Sequence, residues 1–359
     1  MQYIDLGNTK KQPTNKKKWL KLLAIPALIA ATVLILVISP LSFSFSDLLA
    51  PVSVFSQVVN PKQLSSTDGR TNILLLAVDD REEIDPRCGD DAGSGSLTDT
   101  IILASLGKKD KDIVLLSLPR DLWVETGYYS GKINAAYAYG GSSSNGAEFV
   151  SRIVGGVTGV PIHYYAVVNF LGFEQAIDIL GGIEIDVERG FDDYRYPIPG
   201  QECAENEEER WEHIHFDEGL QTMDGARALK FVRSRHAEGP EGSDFARSRR
   251  QQKVLLAAKR KFFSLSAFSD WARVKNLYQT FEDHVRTDLG IWELERLYHW
   301  AREAETIPIK MEVLDGAQGL LVATQDENKY KGAWVLAPIA GDYSQVRNYV
   351  QTLLFESGN

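Results

Sequence analysis

The sequence predicts an α/β protein in which helices cover both faces of a mixed central β-sheet, preceded by one N-terminal transmembrane helix. Three observations carry this. Residues 72–78 (NILLLAV), 100–106 and 112–118 are continuous apolar runs of strand length, and continuous rather than alternating apolarity marks strands buried on both faces. Later strand-like runs alternate with segments of helical spacing, a β-α-β order that calls for a helical layer on each side of the sheet. Residues 22–45 form an uncharged apolar run, longer than the roughly 20 residues that cross a bilayer core.

Lys10, Lys11, Lys16, Lys17, Lys18 and Lys21 precede that run. The lysine bias places residues 1–21 in the cytoplasm, 22–45 in the cell membrane as a single pass, and the rest outside. A cleaved signal peptide is the alternative, but the run is long for one and no A-x-A site follows. Residues 46–68, with Pro51, Pro61 and scattered serines, read as a linker. Residues 69–359 carry no further linker and read as one extracytoplasmic domain. In 359 residues, 44% hydrophobic and 25% charged content suits a full globular core, while a net charge of -10 argues against a nucleic-acid partner.

The short gap at 108–111 predicts a hairpin between the second and third strands. Helical spacing begins at Lys132 (KINAAYAY) and resumes over 146–154. Residues 161–170 read as a strand, 171–180 as a helix stopped by Gly181 and Gly182, and 183–187 as a strand. Residues 191–216, with an acidic run at 205–212, read as a solvated loop. Helices follow at 222–232, at 244–263 with Asp244 as N-cap, and through 271–306. Strands at 307–313 and 320–324 and a helix at 343–355 close the chain.

Six arginines gather between Arg227 and Arg250 in this acidic protein: Arg227, Arg233, Arg235, Arg247, Arg249 and Arg250. Two like charges about 6 Å apart repel by roughly 2–3 kcal/mol at an effective dielectric near 20, so such a group calls for anions. Arg247, Arg250 and Gln251 stand at i, i+3 and i+4 on one helical face, and Arg233 and Arg235 alternate at an extended end. Two readings fit this spacing. One is a phosphate clamp, since guanidinium forks match phosphate oxygens. The other is a set of solvated arginines paired with Glu238, Glu241 and Asp244.

Three strand ends carry charges: Asp79, Asp80 and Arg81; Thr98 and Asp99; Arg120 and Asp121. Ligands of open α/β sheets sit at such ends. These residues are either mutual salt bridges or a site in which Asp79 and Asp99 hold a divalent metal. Mg²⁺ takes one or two carboxylates plus substrate phosphates, which suits two aspartates beside an arginine clamp.

The strings LLLAVDDR, TDTIIL, SLPRD, KINAAY, VRSR and DFARSRRQQ occur in order between about Asn72 and Leu256, and in that set and order the chain resembles the LytR–CpsA–Psr family of membrane-anchored cell-envelope proteins. The resemblance implies a three-layer α/β/α catalytic domain. It also implies a phosphotransferase that moves a glycopolymer from a polyprenyl-pyrophosphate carrier to peptidoglycan or another wall glycan, forming a phosphodiester and releasing polyprenyl phosphate. A lipid-pyrophosphate pyrophosphatase and a non-catalytic lipid-pyrophosphate-binding regulator are the alternatives. Carried over by motif, Asp79, Asp99 and Arg120 are the catalytic group, and Asp79 and Asp99 hold Mg²⁺ (or Mn²⁺). Arg81, Lys132, Arg233, Arg235, Arg247, Arg250 and Gln251 bind the substrate.

Cys88 and Cys203 lie in polar, loop-like stretches and fit an oxidising compartment where they can form one disulfide. Two cysteines so far apart do not make a zinc motif. His213 and His215 alternate, but with no third ligand in sight a structural role is favoured over a metal site. Trp271, Trp292 and Trp300 read as core, and the apolar faces over 150–160 and 170–180 as either core or the lining of a lipid tunnel.

Overall fold

The computed structural model describes residues 63–79, 97–108, 112–141, 143–201, 203–265, 274, 284–303 and 309–356. The expected cytoplasmic tail, the expected transmembrane segment at 22–45 and most of the expected linker lie outside these. Among the described residues no helix is long and apolar enough to cross a membrane.

The strands are β1 (Arg70–Val78), β2 (Thr98–Gly107), β3 (Ile113–Ser117), β4 (Trp123–Glu125), β5 (Ser130–Lys132), β6 (Tyr164–Asn169), β7 (Ile183–Val187), β8 (Phe191–Pro197), β9 (Trp211–Phe216), β10 (Gly219–Met223), β11 (Val285–Thr287), β12 (Ile309–Val313), β13 (Leu321–Thr324) and β14 (Val335–Pro338). The longer helices are α1 (Ser144–Thr158), α2 (Phe170–Ile179), α3 (Gly225–Arg233), α4 (Asp244–Ser264), α5 (Ile291–Glu303) and α6 (Ser344–Gln351).

Six strands form the central sheet in the order β11-β6-β1-β2-β3-β12. It is mixed. β1 runs antiparallel to β2 and parallel to β6, and β3 runs antiparallel to β2 and parallel to β12. The continuous apolar runs resolve into two alternating sets, because successive side chains point to opposite faces. Leu74, Leu76, Val78, Leu103 and Leu116 face Val150, Ile153 and Val157 of α1 and Val346 and Val350 of α6. Ile73, Ile102, Ile113 and Leu115 face the opposite way, against Leu294, Leu297 and Trp300 of α5. Each fully buried side chain contributes roughly 1.5–3 kcal/mol, so the doubly covered sheet is the rigid base from which the strand ends project. The apolar face of α1 is therefore core against the sheet.

A second cluster lies beside this sheet. Phe191 and Tyr196 of β8, Ile214 and Phe216 of β9, Ile183, Ile185 and Val187 of β7, and Ala228, Phe231 and Val232 of α3 pack together with Val254 and Ala257 of α4. Two expectations are corrected here, and one expected strand finds its partner outside the central sheet. Residues 191–216 are not a loop: β8 and β9 pair antiparallel, because alternating Ile214 and Phe216 have a core to face, and only 205–210 keep the expected solvated character. β7 pairs with β10, outside the central sheet. Thr222 and Met223 end β10, so the following helix starts only at Gly225, with Asp224 as its cap.

Smaller corrections follow the same logic. The stretch from Lys132 is a strand end and a 3₁₀ turn over Ile133–Ala135 before a single helical turn over Ala136–Tyr139. Val285–Thr287 is a strand on β6, inside the expected long helix. Trp292 is 45% exposed rather than core, and Trp271 lies outside the described residues. α2 ends as expected, with Gly181 at φ 75°, a left-handed position that an L side chain adopts only with strain.

Candidate active site

A β-bulge begins the site. Ala77 pairs with Thr100 but Val78 with Thr98, so Asp99 is the extra residue on β2 and leaves the ladder. Bulges re-aim side chains in this way. On the neighbouring strand Asp79 follows β1, its N–H donating to the Leu97 carbonyl at 3.3 Å, so the two carboxylates project from adjacent strand ends. Arg120 follows Pro119 at the end of β3. Its Nη1 donates to Asp99 Oδ1 at 2.7 Å, and its Nε lies 3.5 Å from Asp121 Oδ2 and 3.8 Å from Asp244 Oδ2. Lys132, at the end of β5, donates to Asp121 Oδ1 at 2.6 Å.

The arginine-rich corner between α3 and α4 closes the site from the other side. Arg233, the last residue of α3, stacks over Phe170 at 4.3 Å and brings Nη2 to 3.6 Å from Asp79 Oδ2. Asp193 then gathers the chain. This buried carboxylate on β8 accepts from Ser234 Oγ at 2.6 Å and from the N–H groups of Arg235 and His236 at 3.2 and 3.1 Å. The turn leaves the Arg235 side chain exposed. Gly242 passes so close to the Ala237 carbonyl that a Cβ there would stand 2.0 Å from its oxygen, which admits only glycine.

Ser243, not Asp244, caps α4: its Oγ accepts from Ala246 N–H at 3.1 Å. Both residue types cap well, and the extended backbone at Ser243 decides it. Asp244 is thereby turned into the site, with Oδ1 3.1 Å from Arg247 Nη2. Gln252, buried on α4, fixes the helix against the sheet by donating to Ser117 Oγ and the Glu312 carbonyl.

Arg120, Arg247 and Arg235 lie near enough to Asp99 to act on its ionisation. Burial pushes the Asp99 carboxyl up, but the guanidinium groups of Arg120, Arg247 and Arg235 outweigh it and hold it below the usual carboxylate range. Burial opposes the charge on Arg120 as well, and there Asp99 and Asp244 win and raise it. For Arg247 burial wins over Asp244 and Asp99, and its guanidinium is held below the usual range. The Nε atoms of Arg120 and Arg247 are buried with no hydrogen-bond acceptor among the described residues.

Of the residues expected to act, Asp79, Asp99, Arg120, Arg233, Arg235 and Arg247 line adjoining parts of one region, and Lys132 joins it through Asp121. Arg250 does not serve there as expected. Its Nε donates to the Phe231 carbonyl at 2.9 Å, Nη1 to the Glu241 carboxylate at 2.9 Å, and Nη2 to the Ser234 carbonyl, with Phe191 at 4.8 Å. Those partners make it a brace between α3 and α4. Gln251 approaches the Val232 carbonyl at 3.5 Å. Arg81 lies outside the described residues. Cys203 is disulfide-bonded, and the chain's only other cysteine, Cys88, lies outside them too.

Sequence reasoning missed Asp193 as a member of this region, while Asp121 and Asp244 stand as the ion partners of Arg120 and Arg247 that the strand-end and salt-bridge readings allowed. The alternation of Ile214 and Phe216 in WEHIHF was the available signal for the hairpin that carries Asp193. His213 and His215 both reach Asp192 Oδ1, at 2.6 and 2.8 Å, but among the described residues no three metal-ligating groups converge.

Residues 50–349 match the LytR_cpsA_psr family. A protein of Oceanobacillus iheyensis named polyisoprenyl-teichoic acid–peptidoglycan teichoic acid transferase TagU is 30% identical over 275 residues, covering 74% of this chain and 76% of its own. The Bacillus cereus protein of the same name is 33% identical over 220 residues, 61% of this chain and 60% of its own. The crystal structure of Bacillus subtilis TagV shares the fold, with a TM-score of 0.56 at 24% identity over 80% of this chain and 98% of that one.

Proposed function

From the premise that this chain belongs to the LytR–CpsA–Psr family, we propose that it transfers a phosphate-linked glycopolymer from a polyprenyl-pyrophosphate carrier to a hydroxyl of a wall glycan such as peptidoglycan. The observation that carries the proposal is the convergence of Arg120, Arg235 and Arg247 on Asp99, beside the Arg233–Asp79 pair. A pyrophosphate diester bears about two negative charges at neutral pH, and phosphoryl transfer is accelerated chiefly by positioning and electrostatic stabilisation. Guanidinium groups held by a rigid sheet edge and the start of α4 supply both.

The acceptor hydroxyl attacks the sugar-linked phosphorus. A new P–O bond to the acceptor forms, the bridging P–O bond of the pyrophosphate breaks, and its electrons leave on polyprenyl phosphate. Arg120 and Arg247 stabilise the phosphoryl oxygens, and Arg235, exposed at the rim, neutralises charge on the leaving side. The hydroxyl proton passes to a carboxylate within hydrogen-bond reach. Held in its ionised form, Asp99 is a weak proton acceptor and suits ion holding better.

Two partly exposed carboxylates on adjoining strand ends are hard oxygen donors, and such a pair fits a Mg²⁺ or Mn²⁺ that arrives with substrate phosphates. Asp79 and Asp99 would hold the ion, and when bound it would offset the pyrophosphate charge. Residues 22–45 anchor the chain in the cell membrane with the N-terminus in the cytoplasm and the catalytic domain outside.

The test uses the full chain in detergent with a polyprenyl-pyrophosphate glycolipid, Mg²⁺ and a glycan acceptor. Release of polyprenyl phosphate is expected, with a loss of about a hundredfold or more in Arg120→Ala, the scale of removing one transition-state donor. Release without any acceptor would instead identify a pyrophosphatase. No release from a lipid that binds would identify a regulator and overturn the proposal.

A further inference from the structure

A cavity of about 400 Å³ opens beside β4, walled by Trp123, Tyr330 and Tyr343 and rimmed by Glu125, Lys329 and Arg347. No role in the chemistry above uses it. It adjoins the candidate active site through the backbone. Trp123 stands two residues beyond Asp121 and pairs in register with Lys132, while the Asp121 carbonyl accepts from Leu336 N–H, one residue before Ala337 in the cavity wall.

Its chemistry is amphipathic. Trp123 and Tyr330 meet edge to face at 5.3 Å between ring centres, and Lys329 Nζ lies 5.3 Å from the Tyr330 ring centre. The Trp123 indole N–H is buried with no acceptor among the described residues, and Tyr343 Oη donates to the Trp123 carbonyl. Around these rings Glu125 and Asp342 oppose Lys329 and Arg347, so the rim has no net formal charge. A phosphate anion gains little from such a rim. Aromatic surface with donors and acceptors of both signs suits a neutral polyhydroxyl ring, and the volume lies within the roughly 300–1,000 Å³ of small-ligand sites.

We propose that this cavity is a glycan subsite that takes one or two uncharged pyranose rings, holding a polysaccharide strand beside the phosphoryl-transfer site. The proposal rests on the reading under Proposed function and deepens it. The strand belongs either to the wall acceptor or to the sugars of the transferred polymer.

The test is calorimetric titration of the full chain in detergent with chitotetraose, and separately with inorganic pyrophosphate. Chitotetraose is expected to bind without competition from pyrophosphate. The rim variant Glu125→Gln/Lys329→Gln, both positions exposed, is expected to weaken it at least fivefold and leave pyrophosphate binding unchanged. Trp123→Phe, which keeps an aromatic ring and removes the indole N–H, is expected to weaken it about threefold or more. No binding of chitotetraose, binding unaltered in both variants, or displacement by pyrophosphate would overturn the subsite. In the transferase assay the rim variant raises KM for the acceptor if the strand is the acceptor's, and for the lipid donor if it is the donor's; an unchanged KM for both overturns the subsite. Glycan binding without lipid cleavage would sink the transferase reading alone, and cleavage without glycan binding would sink the subsite alone.

Discussion

Asp193 makes a sharp test of how the site is held. It is 1% exposed, and its carboxylate accepts from Ser234 Oγ, Arg235 N–H, His236 N–H and, through Oδ1, Arg195 N–H at 2.9 Å. Asp193→Asn is nearly isosteric but turns one acceptor oxygen into an NH₂ group facing a donor. At least one hydrogen bond is lost outright, and those that remain lose their charge assistance. Hydrogen bonds to a charged group contribute about 1.5–3 kcal/mol each, and an unmatched buried donor costs about 1–3 kcal/mol. Against this, a neutral amide is cheaper to bury than a carboxylate. A net loss of about 2–3 kcal/mol follows, or roughly 5–10 °C in Tm at about 2–4 °C per kcal/mol.

The functional consequence is separable from the loss of stability. The same carboxylate fixes the turn that presents Arg235, so transfer should fall together with Arg235→Ala, and the double variant should be little worse than either single one. Thermal melts and initial rates, taken well below each variant's Tm, check both parts. An Asn variant that melts within about 1 °C of the parent and transfers at its rate would refute the positioning role. So would activity losses that simply multiply.

Arg250→Ala should cost about 3–5 kcal/mol in urea unfolding, because it strands the Glu241 carboxylate and three backbone carbonyls in a buried brace; exposed Arg235→Ala should cost under about 1 kcal/mol while lowering transfer at least tenfold. Asp99 has its folded pKa below its unfolded one, so its stabilisation is complete above an unfolded value of about 3.9 and disappears as pH falls through the folded value. The stability difference between the parent and Asp99→Asn should accordingly be flat above about pH 5 and shrink below about pH 4, as followed by urea titrations. Reduction with dithiothreitol, or Cys203→Ser, should lower Tm by the equivalent of about 2–5 kcal/mol, and free-thiol counts before and after reduction check the cause.

Much of the central sheet was legible because burial on both faces leaves unbroken apolar runs, and β1, β2 and β3 stand within two or three residues of where those runs place them. The hairpin of β8 and β9 was not legible. Asp192, Asp193, Tyr194 and Arg195 have the composition of a solvated turn, and only the register with β9 turns Asp193 inward. The site was legible as a set of residue types at strand ends. What spacing could not say is which guanidinium works. Arg247 and Arg250 stand three residues apart on one helix, and about 60° of rotation separates a place at the strand ends from a place against Phe231. The bulge at Asp99 depends on pairing with β1, which no local pattern encodes.

The contrast between those two arginines explains how an acidic protein can keep a cationic cluster in waiting. Arg250 has its charge matched by Glu241 and its donors directed to carbonyls of its own chain, so a ligand would have to break a brace to use it. Arg120 and Arg247 are matched differently. Asp99 and Asp244 offset their charge, which removes the repulsion of roughly 2–3 kcal/mol per close pair, yet each keeps a buried Nε–H without a hydrogen-bond acceptor among the described residues. The carboxylates therefore balance the arginines without filling them. On the proposed function, a phosphate group entering beside them would gain donors already held in position, and Asp99, once displaced from its ion pair, would be free to turn an oxygen to the proposed divalent ion. On this reasoning the acids are part of the anion site, and removing Asp99 should leave the arginines closer to neutral solvent contacts and less fixed, rather than more available to phosphate.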